Sequence, residues 1–232
     1  MKFVEFSSQE IELLLGQVLQ PIRINIIPKA SPHPQSWDVE QFESFFHIKY
    51  LSHPKFKDAQ SLQAVVRECP WWIRSSPLGQ EIRDLGLIYQ TSIWSGLVAP
   101  TTIKWINDEI GYGLFANASI PAQSWIGIYT GHVRRLYRRK PDQNAYCVHY
   151  PTRFWSWHYY VIDAYRGGNE LRFVNHHLSP NLEVRCLEEK GLLYFAFFST
   201  QEIAAGEQLT VNYGEDYWQK RRWLDPNPNK SC

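Results

Sequence analysis

From Gly96 onward the chain is cut into pieces of strand length. TTIKWIN, YGLFANA, SWIGIYTG, NAYCVHY, YYVIDAY, LEVRCL and LLYFAFFS are short runs rich in aromatic and β-branched residues, punctuated by Gly, Pro, Asn or Asp. Runs this short and this composed read as strands. Pro121-Ala122 and Ala204-Ala205-Gly206 read as turns between them. A β-rich domain with short connections is what such a pattern can become.

The residues before Gly96 have another texture. Ser7 with Glu10 has the form of a capping box in front of IELLLGQVLQ. IRINII at 22–27 reads as a short strand, while VEQFESFFHIKYL and DAQSLQAVVREC carry apolar residues at helical spacing. Ser76-Pro77 suits an N-cap followed by proline at the first helical position, opening PLGQEIRDLGLIYQTSIW. Prolines at 21, 28, 32, 34, 54, 70 and 77 separate these pieces. The expected class is α+β. A mainly helical N-terminal domain covers 1–97, a β-rich domain 98–218 and a short tail 219–232.

Of 232 residues, 44% are hydrophobic, which is enough for a substantial core. A net charge of +1 argues against a protein that coats nucleic acid. Cys69, Cys147, Cys186 and Cys232 form no CxxC pair, so free thiols in a reducing compartment are expected, with no zinc knuckle. MKFVEFSSQEIELLLGQ lacks the apolar run of a signal peptide. No stretch approaches the roughly 20 apolar residues that span a bilayer, so no membrane association is expected.

Three segments carry candidate chemistry. In EIGYGLFANASI, Gly111 and Gly113 suit either a loop where backbone approaches a ligand or a tight hairpin turn. A dinucleotide fingerprint is excluded, because the third glycine and the following helix are missing. RFVNHHLSPN, Arg172 to Asn181, places amides and imidazoles straight after an apolar segment. LTVNYGEDYW ends an alternating strand at Tyr213-Gly214, where a tyrosine can point into a cleft or anchor a core. His176 and His177 are adjacent and would face opposite sides of a strand, so they make a poor metal pair. The run VRRLYRRK holds Arg134, Arg135, Arg138, Arg139 and Lys140; it reads as a solvated loop or as a patch for an anionic partner, which leaves direct nucleic-acid binding open.

Taken in order, GxG, then IYTG with Tyr129, then RFVNHHLSPN, then GEQLTVNYG resemble the SET-domain family of protein lysine methyltransferases. The resemblance covers about 98–218, and YVIDAYRGG resembles the family's strand and Asp-Ala turn. It implies a SET domain of short strands with a pseudoknot-like crossing, and S-adenosyl-L-methionine as cofactor. It places Ile110, Gly111, Tyr112, Tyr146, Arg172, Asn175 and His176 at the cofactor, with Trp218 or Trp223 as a stacking lid. Tyr213 is implied as the catalytic tyrosine and Tyr129 as a second wall of the lysine channel. Leu178 stands where many members have a zinc-binding cysteine, and the tail is Cys-poor, so no post-SET zinc is expected. In this the chain is similar to compact bacterial, chlamydial-like members. That likeness implies histones or basic DNA-binding proteins as substrates, and residence in the cytoplasm or delivery to a host nucleus as an effector. The alternative is a non-catalytic SET-like module that binds proteins. Val211 occupies the position where Tyr or Phe tunes the degree of methylation in several members.

Overall fold

The computed structural model describes residues 5–137, 144–152 and 158–220. The local signals of the N-terminal part are used as read. Helix α1 (Ser8–Leu14) opens on a reciprocal cap, with Glu10 N donating to Ser7 Oγ at 3.2 Å and Ser7 N donating to Glu10 Oε2 at 2.7 Å. Strand β1 (Ile24–Ile27) follows, then β2 (Gln35–Trp37), which its polar sequence hides. Helix α2 (Val39–Phe46) is capped by Asp38. It ends short of the predicted VEQFESFFHIKYL because His47 turns left-handed, with φ of 54°. That turn frees β3 (Lys49–Tyr50) to pair as a strand. Helices α3 (Ala59–Arg67), α4 (Trp71–Ser75), α5 (Pro77–Ile88) and α6 (Gln90–Ser95) come next. Ser76 Oγ caps α5 by accepting from Gly79 N at 3.0 Å.

The strand-rich part follows with β4 (Thr101–Asn107), β5 (Gly111–Ala116), β6 (Trp125–Ile128), β7 (His132–Tyr137), β8 (Cys147–Tyr150), β9 (His158–Asp163) and β10 (Gly167–Gly168). A 3₁₀ turn, Glu170–Phe173, leads to β11 (Asn175–His176), β12 (Leu182–Glu189), β13 (Leu192–Ser199), β14 (Thr210–Val211) and α7 (Glu215–Lys220). The class is α+β.

The boundary expected at 97 is no seam in the sheet. β1 lies parallel beside β4, Asn25 opposite Thr102 and Ile27 opposite Lys104, in a sheet of order β2-β1-β4-β5. β3 pairs with β10 in the same way. One apolar core runs through both parts, joining Leu14, Ile26 and Phe42 to Ile103, Ile126, Leu171 and Phe198. Helix α5 presses on β12 so closely that a Cβ at Gly86 would sit 1.8 Å from the Glu188 carbonyl oxygen. Only glycine fits there.

HVRRLY, read as part of a solvated loop, is strand β7 in a sheet of order β7-β9-β8. Pairing with β9 sets its cations against partners. Arg134 meets Asp163 at 2.5 Å, and Arg135 lies 2.9 Å from His158 Nδ1. Arg138, Arg139 and Lys140 fall outside the described residues, as do Trp223 and Cys232.

Candidate active site

Two short strands make the crossing. β11 runs parallel to β14, Asn175 opposite Thr210 and His176 opposite Val211. The bond from His177 N to Val211 O, 3.1 Å, extends the pairing by one residue. Asn181, at the end of LSPN, staples the two segments. Its Nδ2 donates to Gln208 O at 2.9 Å and its Oδ1 accepts from Thr210 N at 2.9 Å. The same returning segment bonds to β5 on its other side, with Leu209 N donating to Leu114 O at 2.8 Å and Ala116 N to Glu207 O at 3.0 Å. Residues 207–211 are therefore held between β5 and β11.

Against this crossing lies a cavity of about 620 Å³. Its wall contains Ile110, Gly111, Tyr112, Tyr129, Tyr146, Arg172, Asn175 and Tyr213. The structure thus gathers these sequence-selected residues, spread over a hundred positions, around one space. His176 and Trp218 stand one layer out. The His176 ring is 5.5 Å from Tyr213 and 4.9 Å from Trp218, and His176 Nδ1 accepts from Tyr213 N at 3.2 Å.

The two tyrosines are bound alike. Tyr213 donates its hydroxyl proton to Val174 O at 2.9 Å, and Tyr129 donates to Tyr146 O at 2.9 Å. Burial pushes the Tyr213 phenol up, and the nearby Tyr217 adds to this. Burial and the neighbouring Tyr213 hold Tyr129 well above the ordinary phenol range. Both stay protonated at neutral pH. With each proton committed to a carbonyl, what each oxygen can offer the cavity is a lone pair.

The other wall is built on glycine and amide geometry. Asn107 Oδ1 accepts from Ile110 N at 2.8 Å, fixing the turn into β5. Gly111 takes a φ of +79°, a left-handed conformation that glycine adopts freely. At Gly113 a Cβ would come within 2.7 Å of Gln208 Nε2 and 3.1 Å of Asn175 Nδ2. Asn175 Nδ2 donates to Tyr112 O at 3.2 Å, tying the GxG strand to the crossing. The Tyr112 ring is braced from the N-terminal part, edge-on to Phe46 at 5.1 Å and Phe45 at 6.1 Å. Arg172 is anchored through Nε to Ala164 O at 3.0 Å. Its guanidinium lies 4.4 Å from the centre of the Tyr146 ring, which holds a cation at the cavity wall.

Sequence reasoning missed Tyr217, Phe195 and Phe197, which also line the cavity. Alternation along LLYFAFFS places Phe195 and Phe197 on one face of β13 and could have found them. Tyr217 packs 4.6 Å from Tyr213. Adjacent residues on a helix do not share a face, so α7 turns Tyr217 to the cavity and Trp218 to His176.

Known proteins are similar over the same stretch. Residues 111–214 match the SET domain family. The human histone-lysine N-methyltransferase EHMT1 is 35% identical over 115 residues, 47% of this chain and 9% of that protein. The putative histone-lysine N-methyltransferase ASHH4 of Arabidopsis thaliana is 33% identical over 46% of this chain and 31% of its own length. Drosophila melanogaster ash1, also a histone-lysine N-methyltransferase, is 29% identical over 59% of this chain and 6% of its own. This chain therefore spans less than a third of each of these relatives. A crystal structure of KRYPTONITE in complex with mCHH DNA, H3(1-15) peptide and SAH aligns with a TM-score of 0.40 at 28% identity, over 49% of this chain and 23% of that one.

Proposed function

We propose that the protein, whose residues 111–214 match the SET domain family, transfers a methyl group from S-adenosylmethionine to the side-chain amine of lysine in a protein substrate. The observation that carries this reading is the pair Tyr129, buried, and Tyr213, half-buried, on one cavity, each with its proton tied to a backbone carbonyl. The cavity volume falls within the roughly 300–1,000 Å³ typical of small-molecule sites. Ile110, Gly111, Tyr112, Tyr146, Arg172 and Asn175 would hold the cofactor, with His176 and Trp218 supporting them from outside. The Arg172 cation suits a carboxylate, and Ile110 and Gly111 on the same wall would lie against the base.

Bound S-adenosylmethionine would supply a methyl group already attached to positive sulfur. The remaining work falls to this chain. Lysine in water has a pKa of about 10.4 and arrives protonated. A wall of Leu171, Phe195, Phe197 and Val211 disfavours the ammonium and makes loss of its proton easier. The lone pairs of Tyr129 and Tyr213 accept from the amine N–H groups and orient the nitrogen. Holding the nucleophile in line with the methyl carbon is a large share of such catalysis. Because both phenols keep their protons, they orient the amine and are not its base.

Histones are the first substrates to test, since the relatives are named histone-lysine N-methyltransferases. Basic DNA-binding proteins come second. The full chain is incubated with methyl-labelled S-adenosylmethionine and a panel of both, and products are read by mass spectrometry. Label on a lysine is the expected result. Cofactor binding with no methylation of any protein would point to a non-catalytic interaction module, and failure to bind the cofactor would sink the reading.

A further inference from the structure

The 3₁₀ turn Glu170–Phe173 touches two cavities. Leu171, Arg172 and Phe173 line the large one. Glu170 lines a second, of about 240 Å³, whose walls come mostly from the N-terminal part and the residues after α6. About half of its surface is apolar, from Leu13, Val18, Ile22, Trp94, Leu97 and Val98. Its polar end is Glu170 with Tyr50. The two side chains are bonded, Tyr50 Oη donating to Glu170 Oε2 at 2.9 Å. Both residues are buried, at 7% and 3% exposure.

What Glu170 lacks is a counter-ion. Among the described residues no Lys, Arg or His lies within ion-pair distance of its carboxylate. Arg23 is on the same cavity wall but is exposed and makes no such contact. A buried carboxylate with no cation beside it is costly, and its cost falls when a cation reaches it. Burial pushes the Glu170 carboxyl up, and burial together with Glu170 pushes the Tyr50 phenol up, as expected where no positive charge is near. Space, an apolar stretch of wall and a carboxylate without a counter-ion thus coincide.

We propose that this second cavity binds a small organic cation, a primary ammonium on an apolar body, with Glu170 as its counter-ion. The apolar body lies along Leu13, Val18 and Ile22, and the ammonium donates to Glu170. Neither the cofactor nor the lysine of the large cavity is involved, so the inference stands apart from the methyl-transfer reading.

The test uses the full chain, with 2-phenylethylammonium as probe and 2-phenylethanol as its uncharged counterpart. Titration calorimetry is run with S-adenosylhomocysteine present at saturation. The ammonium is expected to bind at least tenfold more tightly than the alcohol. Glu170→Gln, which keeps an acceptor for Tyr50, is expected to lose at least tenfold in ammonium affinity and none for the alcohol. Equal binding of the two probes would overturn the proposal. So would unchanged ammonium affinity in Glu170→Gln, which would place the probe in the large cavity, or no binding up to roughly 10 mM. Should Glu170→Gln fail to fold, Leu97→Trp obstructs the cavity at an exposed position and leaves the carboxylate intact. Ammonium binding is expected to vanish in that variant, and its persistence would be equally fatal.

Discussion

The helices before Gly96 and the crossing after Arg172 are stabilised over different distances along the chain. In the first region each of four helices opens on its own cap: Ser7, Asp38, Asp58 and Ser76 accept from backbone N–H groups three residues ahead. In the second, two-residue strands pair with partners far along the chain. The bond from Tyr213 Oη to Val174 O joins positions 39 residues apart. A capped helix can lose one contact and keep its shape. The crossing has little local structure to fall back on, because β11 and β14 are each two residues long and, among the described residues, form a sheet with each other alone. Stability in one region is divisible, and in the other it is shared.

The largest test of that contrast is to separate the regions. Residues 98–220 alone would leave β4 without β1 and Tyr112 without Phe45 and Phe46. The expected outcome is an aggregating fragment without near-ultraviolet circular dichroism, since a bare edge strand invites pairing with other chains. A soluble fragment with native signal and full methylation would show that the helices are an accessory.

Next comes a single atom at the crossing. Tyr213→Phe removes the hydroxyl and keeps the ring. Turnover should fall by at least about 100-fold, through misplacement of the amine and loss of an oriented dipole. Affinity for S-adenosylmethionine should barely change. Near-normal turnover would remove Tyr213 from the catalytic role, whereas equal loss of binding and activity would make it a binding residue.

Asn175→Ala cuts the tie to Tyr112 and should weaken cofactor binding by about 1–3 kcal/mol. Unchanged affinity by calorimetry would show that the GxG wall keeps its place unaided. The smallest effect belongs to the divisible region. Ser76→Ala removes one cap and should lower stability by about 1 kcal/mol, a shift of roughly 2–4 °C in melting temperature. Cofactor affinity should stay constant; a matching loss there would mean that α5 and the crossing are coupled after all.

The same contrast explains how far the sequence could be read. Caps at Ser7 and Ser76 and the strand at IRINII are written within a few residues, and the structure uses them. The end of α2 was not legible, because nothing in VEQFESFFHIKYL announces that His47 will turn left-handed. β7 was concealed by its cations, whose partners Asp163 and His158 lie on another strand. At the site, motif order brought eight selected residues to one cavity wall, whereas Tyr217 was missed because its side depends on the rotation of α7. The pairing of β1 with β4 was invisible for the same reason as the carboxylate at Glu170: both depend on which distant segment lies alongside.

The threading of residues 207–211 between β5 and β11 also sets a timetable. A ribosome releases β5 first, then β11, and the segment that fills the gap only afterwards. Until Gln208 and Thr210 have emerged, Asn181 has neither to bind, and β5 and β11 lack the strand that bridges them. The growing chain can therefore bury much of its core while the candidate active site is still unmade. Competence arrives late, in one closing step over a few residues. Any pause in synthesis before Leu209 would leave the polar edges of both flanking strands open to whatever else the cell presents.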